Sequence, residues 1–316
     1  MWDFSIARSL WLMGRTMPYL LLRVALYFAI TFAYMAAIGA GSGAGYMVGL
    51  SGDEDFRAQA TLVGGFIGFG VVGGIVFFLR EYMLYMVKAG QIAVMTELLA
   101  GNELPQGQGQ LGYGASMVKE RFPEVNGLFA LDQLIKAVVH AVTGLLTIFT
   151  MILPGLSGFM NFLSAVIRIS VTYVDEVILA HNFRVRSKNP WTTSRSALVL
   201  YAQNGWTMVR NAIWLAVISW AVTLAVFFLM IAPAGALFYY LQDAWGGFGF
   251  LAAIVFAWAF RAAIVEPFGI ACLMQVYFKV TEGQTPDPGI DAKLMQASAK
   301  FRALTERARG AMGMAT

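Results

Sequence analysis

Asp132, Lys136 and His140 stand four residues apart inside an otherwise apolar run, "LFALDQLIKAVVHAVTGLLTIFTM". On a helix that spacing places an acid, an amine and an imidazole on one face. A second apolar run carries Arg168, Asp175 and Glu176, a third carries Arg261 and Glu266 ahead of Pro267, and Arg23 lies near the N-terminus. Four cations (Arg23, Lys136, Arg168, Arg261) therefore face four anions (Asp132, Asp175, Glu176, Glu266) in apolar surroundings.

Two kinds of chemistry fit this set. A charge in hydrocarbon costs about 2.5–3.5 kcal/mol even on a lenient scale, so each must be paired or must face water. The balance of signs is what a closed network of ion pairs requires. The other reading is a polar cavity that binds a solute or relays protons. There His140 and the adjacent carboxylates are the groups whose proton affinity burial shifts toward neutral pH. Under that reading the pathway residues are Lys136, His140, Arg168, Asp175, Glu176, Arg261 and Glu266. Asp175 comes first because it shares a helical face with Arg168 and Thr172.

Such residues need a membrane scaffold. The chain has 316 residues, 59% hydrophobic and 13% charged, with a mean hydropathy of +0.66. Soluble domains average about 45–50% apolar and about 25% charged. Several runs reach the roughly 20 residues that cross a bilayer, and no series of short alternating segments reads as a barrel. The predicted fold class is an all-α polytopic membrane protein. Six transmembrane helices in three hairpins are expected at about 18–40, 60–80, 128–152, 157–182, 209–232 and 248–277, within one membrane domain, 1–316. The first run is longer than the about 7–15 residues of a signal-peptide core, and it follows a short interfacial helix anchored by Trp2 and Trp11.

Seventeen Lys and Arg residues fall in the segments on the side of the N-terminus, against Arg57 alone in the opposite loops. The positive-inside rule then makes both termini cytoplasmic and the protein a multi-pass component of the cell inner membrane. At about 1.5 Å per residue, Lys136 lies about 15 Å in from Asn126, and Asp175 and Glu176 about 12–14 Å in from Arg184. Antiparallel spans three and four would bring them level. His140 and Arg168 would form a second layer, with Glu266 between the two.

Each hairpin runs into a cytoplasmic element of similar plan, in which a helix overshoots the span, a Pro-containing break follows, and another helical segment begins. This is either a threefold repeat or the ordinary likeness of loops after spans. The insertion 81–126 reads as part amphipathic helix and part Gly/Gln-rich loop. The tail 289–316 aligns Ile290, Leu294, Ala297, Phe301 and Leu304 on one stripe. That stripe lies on the inner leaflet, grips a partner, or docks on its own protein.

"GAGSGAG" and "GGFIGFGVVGG" superficially suggest phosphate loops, but they sit in or beside apolar spans and no G-K-[ST] follows. Gly64 with Gly68, and Gly70 with Gly74, instead have the small-xxx-small spacing of close helix packing. Cys272 is the sole cysteine and there are two histidines, so neither an internal disulfide nor a metal site is expected. No catalytic motif stands out, no cofactor is implied, and the net charge of +4 is explained by topology rather than by nucleic acid.

From Tyr173 onward, Ile178, Ala180, Asn182, Phe183, Ser194, Arg195, Ala197 and Asn204 follow one another in an order that resembles the choline-transporter-like membrane proteins. The Tyr239–Tyr240 pair before the last span also looks like theirs. The likeness covers at most the C-terminal half. Ten residues separate Phe183 from Ser194, where the family has one or two, and the family's cysteine and its acidic motif after the last span are not reproduced. The resemblance implies transport of an organic cation or lipid precursor and puts weight on Asp175, Glu176 and Glu266 as its negative partners. The expected function is thus transport of a small, cationic solute between spans three, four and six. The alternative is a non-catalytic scaffold that recruits a cytoplasmic protein, or forms a homo-oligomer, through the insertion, the "RVRSKNPWTTSR" loop and the tail.

Overall fold

The computed structural model describes residues 2–105, 109–121, 130–138, 173–186, 188–240, 254 and 256–313, and every regular element among them is helical. In chain order these are α1 (Ile6–Arg15), α2 (Met17–Gly49), α3 (Glu54–Leu99) and α4 (Gln110–Arg121), then a helical stretch at 130–138. They continue with α5 (Val174–Val185), α6 (Pro190–Gln203), α7 (Gly205–Tyr240), a π-helical turn at Arg261–Val265, α8 (Glu266–Val280), α9 (Pro288–Ala297) and α10 (Ala299–Gly313).

The starts follow from local chemistry. Ser5 accepts the Arg8 N–H to open α1, and Asp53 accepts the Phe56 N–H to open α3. Asn189 and Asp287 cap helices whose next residue is proline, which needs no N–H partner at that position. One join occurs twice. α1 ends at Thr16 (φ −105°, ψ 26°) and α6 at Asn204 (φ −102°, ψ 21°). Each residue turns its side chain back to the carbonyl four residues earlier, at 2.9 Å, and a long apolar helix follows at once.

Four helices are long and apolar enough to cross a membrane: Met17–Gly49, Glu54–Val76, Gly205–Ile231 and Phe256–Val280. They coincide with the first, second, fifth and sixth expected spans. Most of 128–152 and 157–182 lies outside the described residues. In the first three of the four, 11%, 6% and 11% of the most apolar window is buried by protein, against 56% in the last. Apolar surface of that extent requires lipid around it, so the protein is a membrane protein.

The chain divides into two compact units: Met1–Pro18, Ala89–Ala225 and Ile264–Thr316 form one, Tyr19–Lys88 and Val226–Ala263 the other. In the second unit, α2 and α3 pack backbone to backbone. A Cβ added to Gly41 would overlap the Gly64 carbonyl, and one on Gly64 the Gly41 carbonyl. Gly45 meets Ala60 and Gly68 meets Ala37 in the same way, one step per helical turn. Gly64 and Gly68 lie in this contact, whereas a Cβ added to Gly70 or Gly74 would meet nothing within 4 Å. The same unit places Tyr27 edge-on to Trp258, with ring centroids 5.7 Å apart.

In the first unit the core is built from the C-terminal part of α3, α5 and most of α8, including Ile92, Met95, Ile178, Phe183, Met274 and Tyr277. α1 packs on α8, and α6 on α5. Residues 89–98 are buried all round. This corrects the expectation for the insertion: its first part is an unbroken continuation of the second span's helix and an internal element, not an amphipathic surface helix. The tail also differs from one continuous stripe. Ser298 adopts an extended conformation that separates α9 from α10. Phe301, Leu304 and Ala308 are then buried, with α10 packed on α6, while Ala297 is exposed. Arg195 joins Asp291 and covers the Phe301 ring, and Asn189 bonds the Ala308 carbonyl at 3.1 Å.

The helix–break–helix plan appears after α3, α5 and α8. Each passes through a residue of positive φ: Gly101 (81°), Arg186 (52°) and Gly283 (70°). Glycine adopts that conformation freely, but a residue with a Cβ pays about 1–2 kcal/mol. Arg186 is held there by Glu97, whose two carboxylate oxygens accept its guanidinium at 2.8 and 2.9 Å. Glu97 is buried and also accepts the Asn102 amide at 2.7 Å. A double-mutant cycle of Glu97→Gln and Arg186→Gly, read by thermal unfolding, should show a coupling of about 1–3 kcal/mol. A coupling below about 0.5 kcal/mol would mean that the pair does not hold the turn.

Candidate functional site

The stretch 130–138 sets Asp132 and Lys136 one helical turn apart, and Lys136 reaches the start of α5. Lys136 Nζ is 2.7 Å from Asp132 Oδ2 and 3.5 Å from Asp175 Oδ2. Asp132, Asp175 and Glu176 are 2%, 7% and 4% exposed, whereas the Lys136 side chain is 41% exposed. Three buried carboxylates and one half-exposed amine therefore gather at this end of α5. Ionised, the four groups carry a net charge of −2.

The backbone makes room for that charge. Tyr173 has a non-helical conformation (φ −121°, ψ 18°), so Asp175 and Glu176 fall in the first turn of α5. The partial positive charge of a helix N-terminus stabilises a nearby carboxylate by roughly 0.3–1 kcal/mol, and up to about 2 kcal/mol in partly buried geometry. The sequence pattern instead reads 157–182 as one uninterrupted helix, because nothing in "ISVTYVDE" signals a start. No Ser, Asn or Asp stands at the cap, and Tyr173 makes no side-chain capping bond. His140 and Arg168 lie outside the described residues.

The ring of Tyr173 packs on Gly269 of α8, where an added Cβ would stand 3.0 Å from Cε2 and 3.2 Å from the hydroxyl. A side chain there would have to displace the ring, so glycine sets the spacing of α5 and α8 at the cluster. Glu266 and Pro267 open α8 one turn before Gly269. Arg261 begins the π-helical turn that precedes them. In a π turn the N–H of residue 267 would serve the Ala262 carbonyl, but Pro267 has no N–H. Arg23, itself buried, donates to that carbonyl from Nη2 at 2.7 Å. Arg23 thus supports the broken backbone of the last span, a role its sequence context does not disclose.

His181 is packing hardware. Its Nδ1 is 3.2 Å from the hydroxyl of the buried Tyr277, which also reaches the Ala197 carbonyl at 3.3 Å. Asn182 donates to Ser194 Oγ at 2.7 Å. These bonds tie the C-terminal half of α5 to α6 and α8. Among the described residues no group of three or more His, Cys, Asp or Glu side chains is arranged to hold a metal ion. What the cluster offers, among the described residues, is three buried carboxylates beside the half-exposed amine of Lys136.

No protein-family model matches the chain, and no curated protein or solved structure matches it.

Proposed function

We propose that this chain is a six-span inner-membrane transporter, with both termini cytoplasmic, that binds a small organic cation at the Asp132–Lys136–Asp175–Glu176 cluster. The observation that carries the proposal is the gathering of three buried carboxylates around the half-exposed Lys136 amine at the start of α5. Here Lys136 is shared between two aspartates while its own side chain reaches solvent. A solute cation arriving by the same route would meet the carboxylates that Lys136 bridges. Glu266, at the head of α8 behind the π turn, is proposed as a further negative partner. The resemblance to choline-transporter-like proteins points to the same class of solute.

The scaffold reading has less to draw on. Phe301 and Leu304 of the tail's apolar stripe are buried, with α10 packed on α6, which leaves only Ala297 and the half-buried Ile290 and Leu294 for a partner.

The test is uptake by proteoliposomes, with radiolabelled choline and tetramethylammonium as probes. Wild type should accumulate at least one of them, and Asp175→Asn and Glu176→Gln should each lower the initial rate at least about tenfold, the effect of about 1.4 kcal/mol. Asp53→Asn, on the α2–α3 turn, should leave the rate unchanged. Uptake by wild type no faster than by empty liposomes, or full uptake by both cluster variants, refutes the assignment.

A further inference from the structure

A second site lies at the opposite end of α5, about 13 Å along the helix from Asp175 at 1.5 Å per residue. There the first unit has an open cleft of about 390 Å³ lined by the ends of three buried helices and by the N-terminal segment. α3 contributes Leu99, with Ala100 just past its end, α5 contributes Arg184, and α8 contributes Gln275, Phe278 and Lys279, with Glu282 just beyond. Asp3, Ser5 and Arg8 close the remaining side.

Three cations meet here, with donors to spare. Arg8 gives one N–H to the Leu99 carbonyl at 3.2 Å. Arg184 gives one to the Phe278 carbonyl at 3.5 Å and lies 4.5 Å over the Phe278 ring. Each guanidinium has five N–H donors, so most remain. Lys279 also acts on Asp3, lowering its pKa through space. Of the two acids, Asp3 is already committed. It takes the Asn211 amide at 2.7 Å and the Arg210 guanidinium, which hold its carboxyl below the ordinary aspartate range. Glu282 is exposed at the rim.

We propose that this cleft binds the phosphate of an anionic phospholipid headgroup. Magnitudes favour a lipid over a soluble phosphate compound. The C-terminal ends of the helices carry about half a negative charge each, and these ends and Glu282 offset much of the three positive charges. The residual attraction is weak. It suffices for a lipid, which is concentrated in the adjoining leaflet and gains about 1 kcal/mol per nearby Lys or Arg.

Position agrees with this. Trp2, next to Asp3, packs edge-on to Trp214, ten residues into the long apolar α7, with centroids 5.5 Å apart. Paired tryptophans at such a place mark the headgroup level. The proposal rests on the cytoplasmic orientation proposed above, since that leaflet carries the anionic lipid, but it does not depend on solute transport.

Native mass spectrometry of the full chain, released from mixed micelles of phosphatidylglycerol and phosphatidylcholine, tests it. Wild type should retain phosphatidylglycerol preferentially. Lys279→Gln and Arg184→Gln should each reduce the preference about fivefold, the effect of one cation at the surface. Glu282→Gln should raise it, and Lys300→Gln, on α10, should leave it unchanged. Equal loss in Lys300→Gln, or no loss in Lys279→Gln, overturns the site. A parallel arm measures the thermal stability of the same proteins in phosphatidylcholine micelles with inorganic phosphate. Stabilisation there that vanishes in Lys279→Gln, without any phosphatidylglycerol preference, would reassign the cleft to soluble phosphate and overturn the lipid claim. Absence of solute uptake would count against the transporter reading alone.

Discussion

Gly41→Leu and Gly64→Leu should each prevent recovery of a monodisperse, folded protein, while Gly39→Leu and Gly43→Leu should be tolerated. All four positions are glycines in apolar helices, and their composition alone does not separate them. At Gly41 and Gly64 the obstacle to a side chain is the backbone carbonyl of the facing helix, which has no rotamer to change. At Gly39 and Gly43 a Cβ meets nothing within 4 Å. Overpacking a tight contact costs about 1–3 kcal/mol where side chains can move, and the cost is higher where two backbones must separate. In lipid little else compensates, because the association of α2 and α3 depends on close packing. Size-exclusion chromatography of the four variants in detergent checks the pattern. Equal behaviour of Gly41→Leu and Gly43→Leu would contradict the backbone contact.

The second large effect is expected from Lys136→Met. It leaves Asp132 and Asp175 without the amine they share, beside Glu176, in surroundings that exclude most water. Breaking a buried pair by deleting one partner costs about 3–5 kcal/mol. The Lys136 side chain is 41% exposed, and solvent screens part of its interaction, so the lower end, about 3 kcal/mol, is expected. Adding Asp132→Asn should recover more than half of that loss, because the 2.7 Å contact is the closer of the two. Thermal unfolding of the purified variants measures both. A loss below about 1 kcal/mol, the range of a solvated surface pair, would mean that the carboxylates are hydrated and that Lys136 is dispensable to the fold. The same variant bears on function. With the tethered amine gone, the solute cation proposed above no longer competes with it for Asp132 and Asp175, so choline or tetramethylammonium should stabilise Lys136→Met more than wild type.

Much of the architecture was legible in the chain because the bilayer imposes it. Apolar runs of span length mark four of the described helices, and Asp53, Asn189–Pro190 and Asp287–Pro288 mark starts through local hydrogen bonding that needs no tertiary partner. The level of Lys136 with Asp175 could be counted from helical rise and antiparallel connection, and the two side chains lie 3.5 Å apart. The glycine spacing on α3 announced close packing but not its partner residues. Gly64 and Gly68 face α2, while Gly70 and Gly74, at the same spacing, do not.

Other features depend on residues far apart in the chain. Arg186 takes a glycine's conformation because Glu97, 89 positions earlier, holds it. The Ala262 carbonyl, which Pro267 cannot serve, is met by Arg23 from the first span. The tail's stripe is interrupted because Ser298 turns the chain and α6 offers a surface for Phe301 and Leu304. α5 begins at Val174 without a capping side chain, its start packed through Tyr173 on Gly269 and its C-terminal half tied by His181 and Asn182 to α8 and α6. Hydropathy, caps and charge bias act over a few residues or along one helix, so sequence alone determined the membrane class, the long spans and the charges that must be compensated. Which groups compensate them depends on non-local packing and on long-range hydrogen bonds, and only the tertiary structure decided that.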